Sequence, residues 1–501
     1  MKKAKIFIIC IISILLSSMA FGCGAAGYGG YYKGDGYYSR TYWQSSYASG
    51  NYDYNKVIEE PFYETSEQDS SYFSLDRNTA GYSYVRRQIN DKRSIAGDSV
   101  RMEELINYFD YGYPAPEGDD VVKATTYLTD CPWNEAHKLL TIGVKTKEIR
   151  SQASASNFVF LIDVSGSMSG DTRIGLVKYG ANLLIDQLSD TDSVAIVTYA
   201  SGVGVKLEST LLNAAGKRQA KAAVNALQAG GSTYGSGGLE MAYRIAESQR
   251  AEGVNSRIIL MTDGDFNVGI SDQATLKRFI IDKAKGGVYL SVLGFGMGNT
   301  RDSMLDTLAR NGNGNYAYID CRTEAEKVFT DELDGMLVTV LKDAKAGVTF
   351  TDKVKKYRLL GYDTKTITEQ EFNDENKDTG EIGSNLTVTA MYELELAEDA
   401  LEGDKLATVE IRYKNALENE ENESVTVDVT NDDNYEARVG FAACVAEFGL
   451  VLRDSRYKGS ADLSSVAGRL GQLGQYIDED IYKKEFVYLV GLASELYPNE
   501  Q

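Results

Sequence analysis

The sequence predicts a doubly wound, mostly parallel α/β sheet that is inserted into a β-sandwich and flanked by helices. Three observations predict this fold. Strand-like and helix-like segments alternate from residue 157 to residue 343, which is typical of a parallel sheet with helices on both faces. Residues 121–148 and 346–432 contain β-type runs in which apolar and polar residues alternate. The segments before residue 121 and after residue 435 carry apolar residues at helical spacing.

The first 22 residues have the layout of a secretory signal. Lys2, Lys3 and Lys5 precede an apolar run that ends in small residues. Cys23 follows directly, and the junction resembles the lipobox of bacterial lipoproteins, in which the cysteine receives a lipid. We therefore predict that residues 1–22 are a signal peptide and that Cys23 is the lipidation site. Ordinary secretion and an uncleaved membrane anchor are the alternatives.

Residues 23–70 are rich in Gly, Tyr and Ser and show no apolar period. Gly and Ser favour a flexible linker, so we predict a tether that lets the folded part stand off the membrane. Residues 71–120 are predicted to be an amino-terminal helical region, which Pro114 and Pro116 close.

Two β-rich segments, residues 121–152 and 346–435, flank the alternating region. The first offers only two strands, so we predict one sandwich that is built from both segments. Residues 153–343, the α/β domain, are then inserted between its strands. Residues 436–501 form a carboxy-terminal helical region, which we expect to pack on the amino-terminal helices.

Composition argues against several function classes. The chain has 52 Lys and Arg against 73 Asp and Glu, a net charge of −21, which disfavours nucleic acid as a partner. The single histidine, His137, argues against catalysis by an imidazole base and against a His-rich zinc site. The sequence also contains no GxxxxGK[ST] loop for a nucleotide. We therefore expect no nucleic-acid partner and no enzymatic activity.

The sequence predicts a metal site at the carboxyl edge of the parallel sheet, where ligands bind in open α/β folds. Asp163, Ser165 and Ser167 follow a buried strand at i, i+2, i+4 spacing and can converge on one point. Thr233 lies in a glycine-rich segment, and Asp263 ends the strand RIILMTD. Parallel strands would bring all three segments to the same rim. Carboxylate and hydroxyl oxygens suit Mg²⁺, with Ca²⁺ or Mn²⁺ as alternatives.

These five residues resemble the metal-ion-dependent adhesion site of von Willebrand factor type A domains. The segments TDGDFNVG (262–269) and AEFGLVLRDSRYKG (446–459) resemble bacterial von Willebrand type A lipoproteins that carry an extra amino-terminal region and a carboxy-terminal domain of unknown function. The resemblance implies that the two serines and the threonine offer hydroxyls to the ion. It also implies that the two aspartates hold the ion directly or through water.

An ion that is held largely by neutral hydroxyls stays electrophilic and can accept an outside oxygen. We expect an Asp or Glu carboxylate of a partner protein to complete its shell. The predicted function is therefore ion-dependent adhesion by a cell-envelope lipoprotein, secreted and lipid-anchored at the outer side of the bacterial cell membrane. Two alternatives stay open. One is a metal-dependent hydrolase, for which Asp265 is the only nearby base; the other is a structural protein that associates with its own copies.

Overall fold

The computed structural model describes most of the chain after the predicted signal and tether. The described residues are 57–149, 155–232, 236–251, 254–264, 273–296, 302–377, 379–418 and 421–497. The signal peptide, Cys23, most of the tether, Thr233 and Asp265 lie outside them. No helix in the described ranges combines the length and the apolar character needed to cross a membrane.

The described residues contain sixteen β-strands. In chain order they are β1 (Tyr63–Glu64), β2 (Ser70–Ser74), β3 (Val122–Asp130), β4 (Lys138–Thr146), β5 (Ala155–Asp163), β6 (Ser193–Tyr199), β7 (Val203–Leu211), β8 (Val254–Thr262), β9 (Val288–Phe295), β10 (Tyr316–Ile319), β11 (Thr339–Phe350), β12 (Val354–Leu359), β13 (Gly380–Gly383), β14 (Thr387–Leu396), β15 (Lys405–Asn415) and β16 (Asn422–Thr430).

The same part of the chain contains fourteen α-helices. In chain order they are α1 (Ala80–Asn90), α2 (Met102–Ile106), α3 (Leu176–Gln187), α4 (Ala214–Asn225), α5 (Ser236–Ser248), α6 (Gln273–Lys285), α7 (Asp302–Asn311), α8 (Arg322–Glu326), α9 (Leu333–Leu337), α10 (Glu369–Asn373), α11 (Ala437–Arg453), α12 (Leu463–Gln472), α13 (Gly474–Asp478) and α14 (Ile481–Leu496). Short 3-10 segments span Gly97–Ser99 and Gly166–Met168, and π-helical turns span Asp171–Gly175 and Lys327–Asp331.

The central sheet has the strand order β10-β9-β8-β5-β6-β7. All of its pairings are parallel except that of β7 with β6. Helices cover both faces, so the side chains of β5 alternate between two apolar cores. Phe160 lies in one core with Leu184 of α3, and Leu161 lies in the other with Leu239 of α5. Because β5 and β8 are adjacent and parallel, their carboxyl ends meet at one edge of the sheet.

Two further sheets form the predicted sandwich. One has the order β1-β12-β14-β4-β3, and the other has the order β13-β11-β15-β16 with β2 also paired to β11. Leu140 and Tyr392 of the first sheet share one apolar core with Val348 and Ile411 of the second. The central sheet lies in the chain between β4 and β11. The predicted fold class, a mostly parallel α/β sheet inserted in a β-sandwich with flanking helices, is confirmed.

The helices at the two ends of the folded part pack on each other, as expected. Tyr82 of α1 and Leu105 of α2 belong to the same apolar core as Phe441 and Phe448 of α11 and Phe486 of α14. The ring of Phe486 makes edge contacts with both Phe441 and Phe448, at centroid distances of 5.5 and 5.2 Å.

Two stretches differ from the elements that we expected. The chain joins the sandwich already at β1 and β2, which pair with β12 and β11, because Phe73 is an apolar side chain that the sandwich core buries completely. The sequence of residues 323–342 predicts one helix, but the structure has α8, a π-helical turn and α9 there, followed by β11 from Thr339. Strand pairing prevails there, since Thr339 pairs with Gly383 of β13.

Candidate metal site at the carboxyl edge of the central sheet

The two predicted aspartates lie at the same edge of the central sheet. Asp163 is the last residue of β5, and Asp263 directly follows the last residue of β8. The register of the two strands pairs Ile162 with Met261, so Asp263 lies one residue beyond the level of Asp163 at the same edge. Asp163 is fully buried, and Asp263 is only 6% exposed.

The serines are held next to Asp163 by a tight turn. The backbone N–H of Ser165 donates to Asp163 Oδ1 at 2.8 Å, which is the Asx-turn geometry that aspartate favours. The hydroxyl oxygens of Ser165 and Ser167 lie 2.9 Å apart. One carboxylate and two hydroxyls therefore converge within five residues, as the spacing predicts.

The glycine-rich segment reaches this edge as far as it is described. The N–H of Gly230 donates to the carbonyl of Val164 at 2.8 Å, and the N–H of Gly166 donates to the carbonyl of Gly231 at 2.9 Å. Gly231 has a φ of +88°, a backbone conformation that favours glycine. Thr233 lies two residues further on, outside the described residues, so its place in the site stays a prediction.

Two residues that the sequence reasoning missed orient Asp163. The hydroxyl of Thr262 donates to Asp163 Oδ2 at 3.3 Å. Tyr199 is fully buried and pairs with Asp163 in the register of β5 and β6, and its hydroxyl partly offsets the rise that burial causes in the pKa of the Asp163 carboxyl. Their signal in the sequence is their position, because each is a polar residue that ends a buried strand beside β5.

Electrostatics at the edge favour a bound cation. Burial raises the pKa of Asp163, the hydrogen bonds from Ser165 lower it, and the nearby Asp263 carboxylate raises it. Among the described residues Asp163 forms no ion pair with Lys or Arg. Neighbouring buried carboxylates repel each other, and a divalent cation held between Asp163 and Asp263 would remove that repulsion.

The chemistry of the ligands fits a hard divalent ion. Carboxylates and hydroxyls supply only oxygen, as Mg²⁺ and Ca²⁺ prefer. In the described part of the chain, no three His, Cys, Asp or Glu side chains come together as a metal-binding group. His137 lies elsewhere, on the hairpin between β3 and β4, where its Nδ1 is 2.6 Å from Glu393 Oε1.

Comparison with known proteins agrees with this architecture. Residues 157–331 match the family model described as von Willebrand factor type A domain. Residues 48–141 match a model described as von Willebrand factor, and residues 335–496 match one described as Uncharacterized protein YfbK, C-terminal. The chain is 34% identical over 472 residues to the Uncharacterized protein YfbK of Escherichia coli (strain K12), an alignment that spans 88% of this chain and 80% of that protein.

The chain belongs to the von Willebrand factor type A family, in the group that contains YfbK. The inter-alpha-trypsin inhibitor heavy chain H3 of Mesocricetus auratus matches a shorter part of the chain: it is 30% identical over 168 residues, or 32% of this chain and 18% of that protein. A solved von Willebrand factor type A structure from Catenulispora acidiphila covers 71% of this chain and 87% of its own at 17% identity, with a TM-score of 0.40. Type A domains commonly bind a divalent ion and mediate protein–protein contacts. The predicted family is confirmed.

Proposed function

We propose that this protein binds a protein partner through a divalent ion held at the carboxyl edge of β5 and β8. The observation that carries the proposal is the convergence there of two buried carboxylates and two serine hydroxyls. Asp163, Ser165, Ser167 and Asp263 would hold the ion, and Thr233 would add a third hydroxyl. Mg²⁺ is the expected ion because it accepts oxygen ligands and usually keeps water in part of its shell.

A partner carboxylate is the ligand that this site favours. The two aspartates supply two negative charges, and the hydroxyls supply none. The bound ion therefore carries no excess of negative charge around it and can still accept an anionic oxygen in place of water. The chain as a whole carries a net charge of −21, which repels acidic partners at long range. A bound cation would supply the local attraction that an Asp or Glu side chain needs.

We propose a binding function and not hydrolysis. Water activation by a metal needs a nearby base, and the only histidine is engaged with Glu393 on the sandwich. Asp265, the base that the hydrolase alternative would use, lies outside the described residues, and we assign Asp263 to the ion. Self-association is the other alternative, and the experiment below can detect it.

The test is calorimetric titration of Mg²⁺ into the full-length protein and into Asp163→Ala. We expect binding to the wild type and none to the variant, because the variant lacks the carboxylate at the centre of the site. Asp190→Ala is the matched control, since Asp190 is an exposed carboxylate of the same domain and its removal should leave Mg²⁺ affinity unchanged. An unchanged affinity in Asp163→Ala would end the proposal.

A second arm looks for the partner. Cell-envelope protein is passed over the immobilised chain with Mg²⁺ and released by chelator. A foreign protein that elutes from the wild type but not from Asp163→Ala supports adhesion. Elution of this chain alone would favour the structural alternative, and turnover of a phosphoester or peptide substrate that requires Asp163 would favour the hydrolase.

We further propose that Cys23 carries the lipid that anchors the chain at the outer side of the bacterial cell membrane. The cysteine directly after an apolar signal supports this. Cells fed a radioactive fatty acid should label the wild type but not Cys23→Ser. Cys10→Ser, in the apolar run of the signal, is the control and should keep the label. Labelling of Cys23→Ser would contradict the proposal.

A further inference from the structure

An arginine lies at the rim of the metal site. The guanidinium of Arg173 donates through Nη1 to the backbone carbonyl of Ser167, and its Nε is 3.9 Å from Asp263 Oδ2. Its side chain is 28% exposed, whereas that of Asp263 is 5% exposed. A fixed positive charge therefore spans the gap between the serine turn and the second aspartate, and it also faces solvent.

Residues at two strands, β9 and β10, support this position of the arginine. The stem of Arg173 lies on Gly296, just after β9, where an added Cβ would be 2.4 Å from both Cγ and Nε of the arginine. Gly296 has a φ of +83°, so glycine is required both for the backbone and for the space. The hydroxyl of Tyr318 on β10 donates to the carbonyl of Gly296, which fixes the floor under the arginine.

The local backbone also favours this placement. Arg173 is the middle residue of the π-helical turn Asp171–Gly175, and Gly170 before it has a φ of +113°. Single π-helical turns at the start of an α-helix often occur at functional sites. Here the turn projects the arginine back toward Ser167, six residues earlier in the chain.

A cation at this rim has two opposite effects. It repels a divalent ion that approaches the same aspartates, and this lowers the affinity for the ion alone. It attracts an anionic group that approaches from solvent. A guanidinium has five N–H donors in a planar fork that matches a carboxylate, so it can bind a carboxylate and keep its bond to Ser167.

We propose that Arg173 is a specificity-determining residue of this site. It weakens the binding of the divalent ion alone and supplies a second cationic contact to the carboxylate of the partner. This inference rests on the proposed function, and it adds a rule: the ion and the acidic ligand bind cooperatively, because the ligand neutralises the arginine. The site thereby selects a carboxylate over water or a neutral oxygen ligand.

The experiment measures two affinities that should move in opposite directions. Mg²⁺ is titrated alone into the full-length protein, and the blocked tripeptide acetyl-Gly-Asp-Gly-amide is titrated at saturating Mg²⁺, with the Asn tripeptide as the neutral ligand. For Arg173→Ala we expect Mg²⁺ to bind about fivefold more tightly and the Asp tripeptide about fivefold more weakly, the effect of one partly screened charge. Arg173→Lys should keep the wild-type Mg²⁺ affinity and lose part of the tripeptide affinity, because the fork is lost.

Arg218→Ala is the matched control, since Arg218 is an exposed arginine on α4 of the same domain, and it should move neither affinity. A merely structural arginine would weaken both affinities in Arg173→Ala, and that result would overturn the inference, as would an unchanged Mg²⁺ affinity. A wild type that binds no Mg²⁺, or that binds it equally well as Asp163→Ala, would instead overturn the proposed function. The two failures are therefore distinguishable.

Discussion

Replacing Arg86 by methionine should destabilise the protein, because three carboxylates would lose the cation that they share. The Arg86 guanidinium on α1 is fully buried. Its Nε donates to Asp320 Oδ2 at 3.0 Å, its Nη2 donates to Glu324 Oε2 at 2.8 Å, and its Nη1 donates to Glu485 Oε2 at 3.0 Å. The arginine thus joins the amino-terminal helix, the type A domain and the carboxy-terminal helix α14.

The size of the expected loss in stability follows from the burial of these charged groups. Removing one partner of a buried ion pair costs about 3–5 kcal/mol, because the remaining charges stay buried and unpaired. Methionine fills much of the volume, so a cavity adds little. The ammonium of Lys327 lies 4.7 Å from the ring centre of Tyr108, but it is already paired with Glu332. We therefore expect a loss of about 3 kcal/mol in the free energy of unfolding near pH 7.5.

The loss should depend on pH. Burial raises the pKa of Glu485, and Arg86 opposes that rise, so the variant should raise this pKa further. A carboxyl group whose pKa is raised in the folded state binds a proton there before the unfolded chain does, so stability falls as pH rises from 4.5 through the folded pKa. The variant should therefore be closest to the wild type near pH 5.

The assay is urea unfolding of both proteins at pH 5 and pH 7.5, followed by circular dichroism. Arg93→Met is the control, because Arg93 is an exposed arginine just after the same helix; it should cost less than about 1 kcal/mol. The reasoning is refuted if Arg86→Met costs no more than this control, or if its cost is the same at both pH values.

Three further outcomes are expected. Ser167→Ala should lower Mg²⁺ affinity by about tenfold or more without changing metal-free stability, and calorimetry that finds no loss would contradict the hydroxyl's role. Gly383→Ala should destabilise by about 1–3 kcal/mol, since its Cβ would lie 1.8 Å from the carbonyl oxygen of Gly335; unchanged urea unfolding would argue against that contact. Burial raises the pKa of Cys131 to about 12 and that of Cys444 to about 11. Thiol reagents at pH 8 should therefore modify both cysteines only after unfolding. Mass spectrometry that finds either cysteine modified in native samples would contradict their burial.

Local pattern was enough to predict the fold class and the serine turn. Continuous apolar runs indicate the buried strands of the parallel sheet, and alternation of apolar and polar residues indicates the strands of the sandwich. Both patterns can be recognised from neighbouring residues alone. The contact between Asp163 and Ser165 spans two residues, so the motif itself determines it. The apolar spacing near Thr339 predicted a helix, and this prediction was wrong, because the segment pairs with β13 as a strand.

Only the tertiary structure decided which distant residues complete and surround the site. Tyr199 and Thr262 reach Asp163 through the register of β6 and β8, and Arg173 reaches Asp263 across 90 residues. Arg86 meets Glu485 across 399 residues. Apolar periodicity reports that a face is buried but not which partner buries it. Hydrogen bonds and ion pairs depend on directions and distances between atoms, and these are fixed only when the strands have paired and the helices have packed.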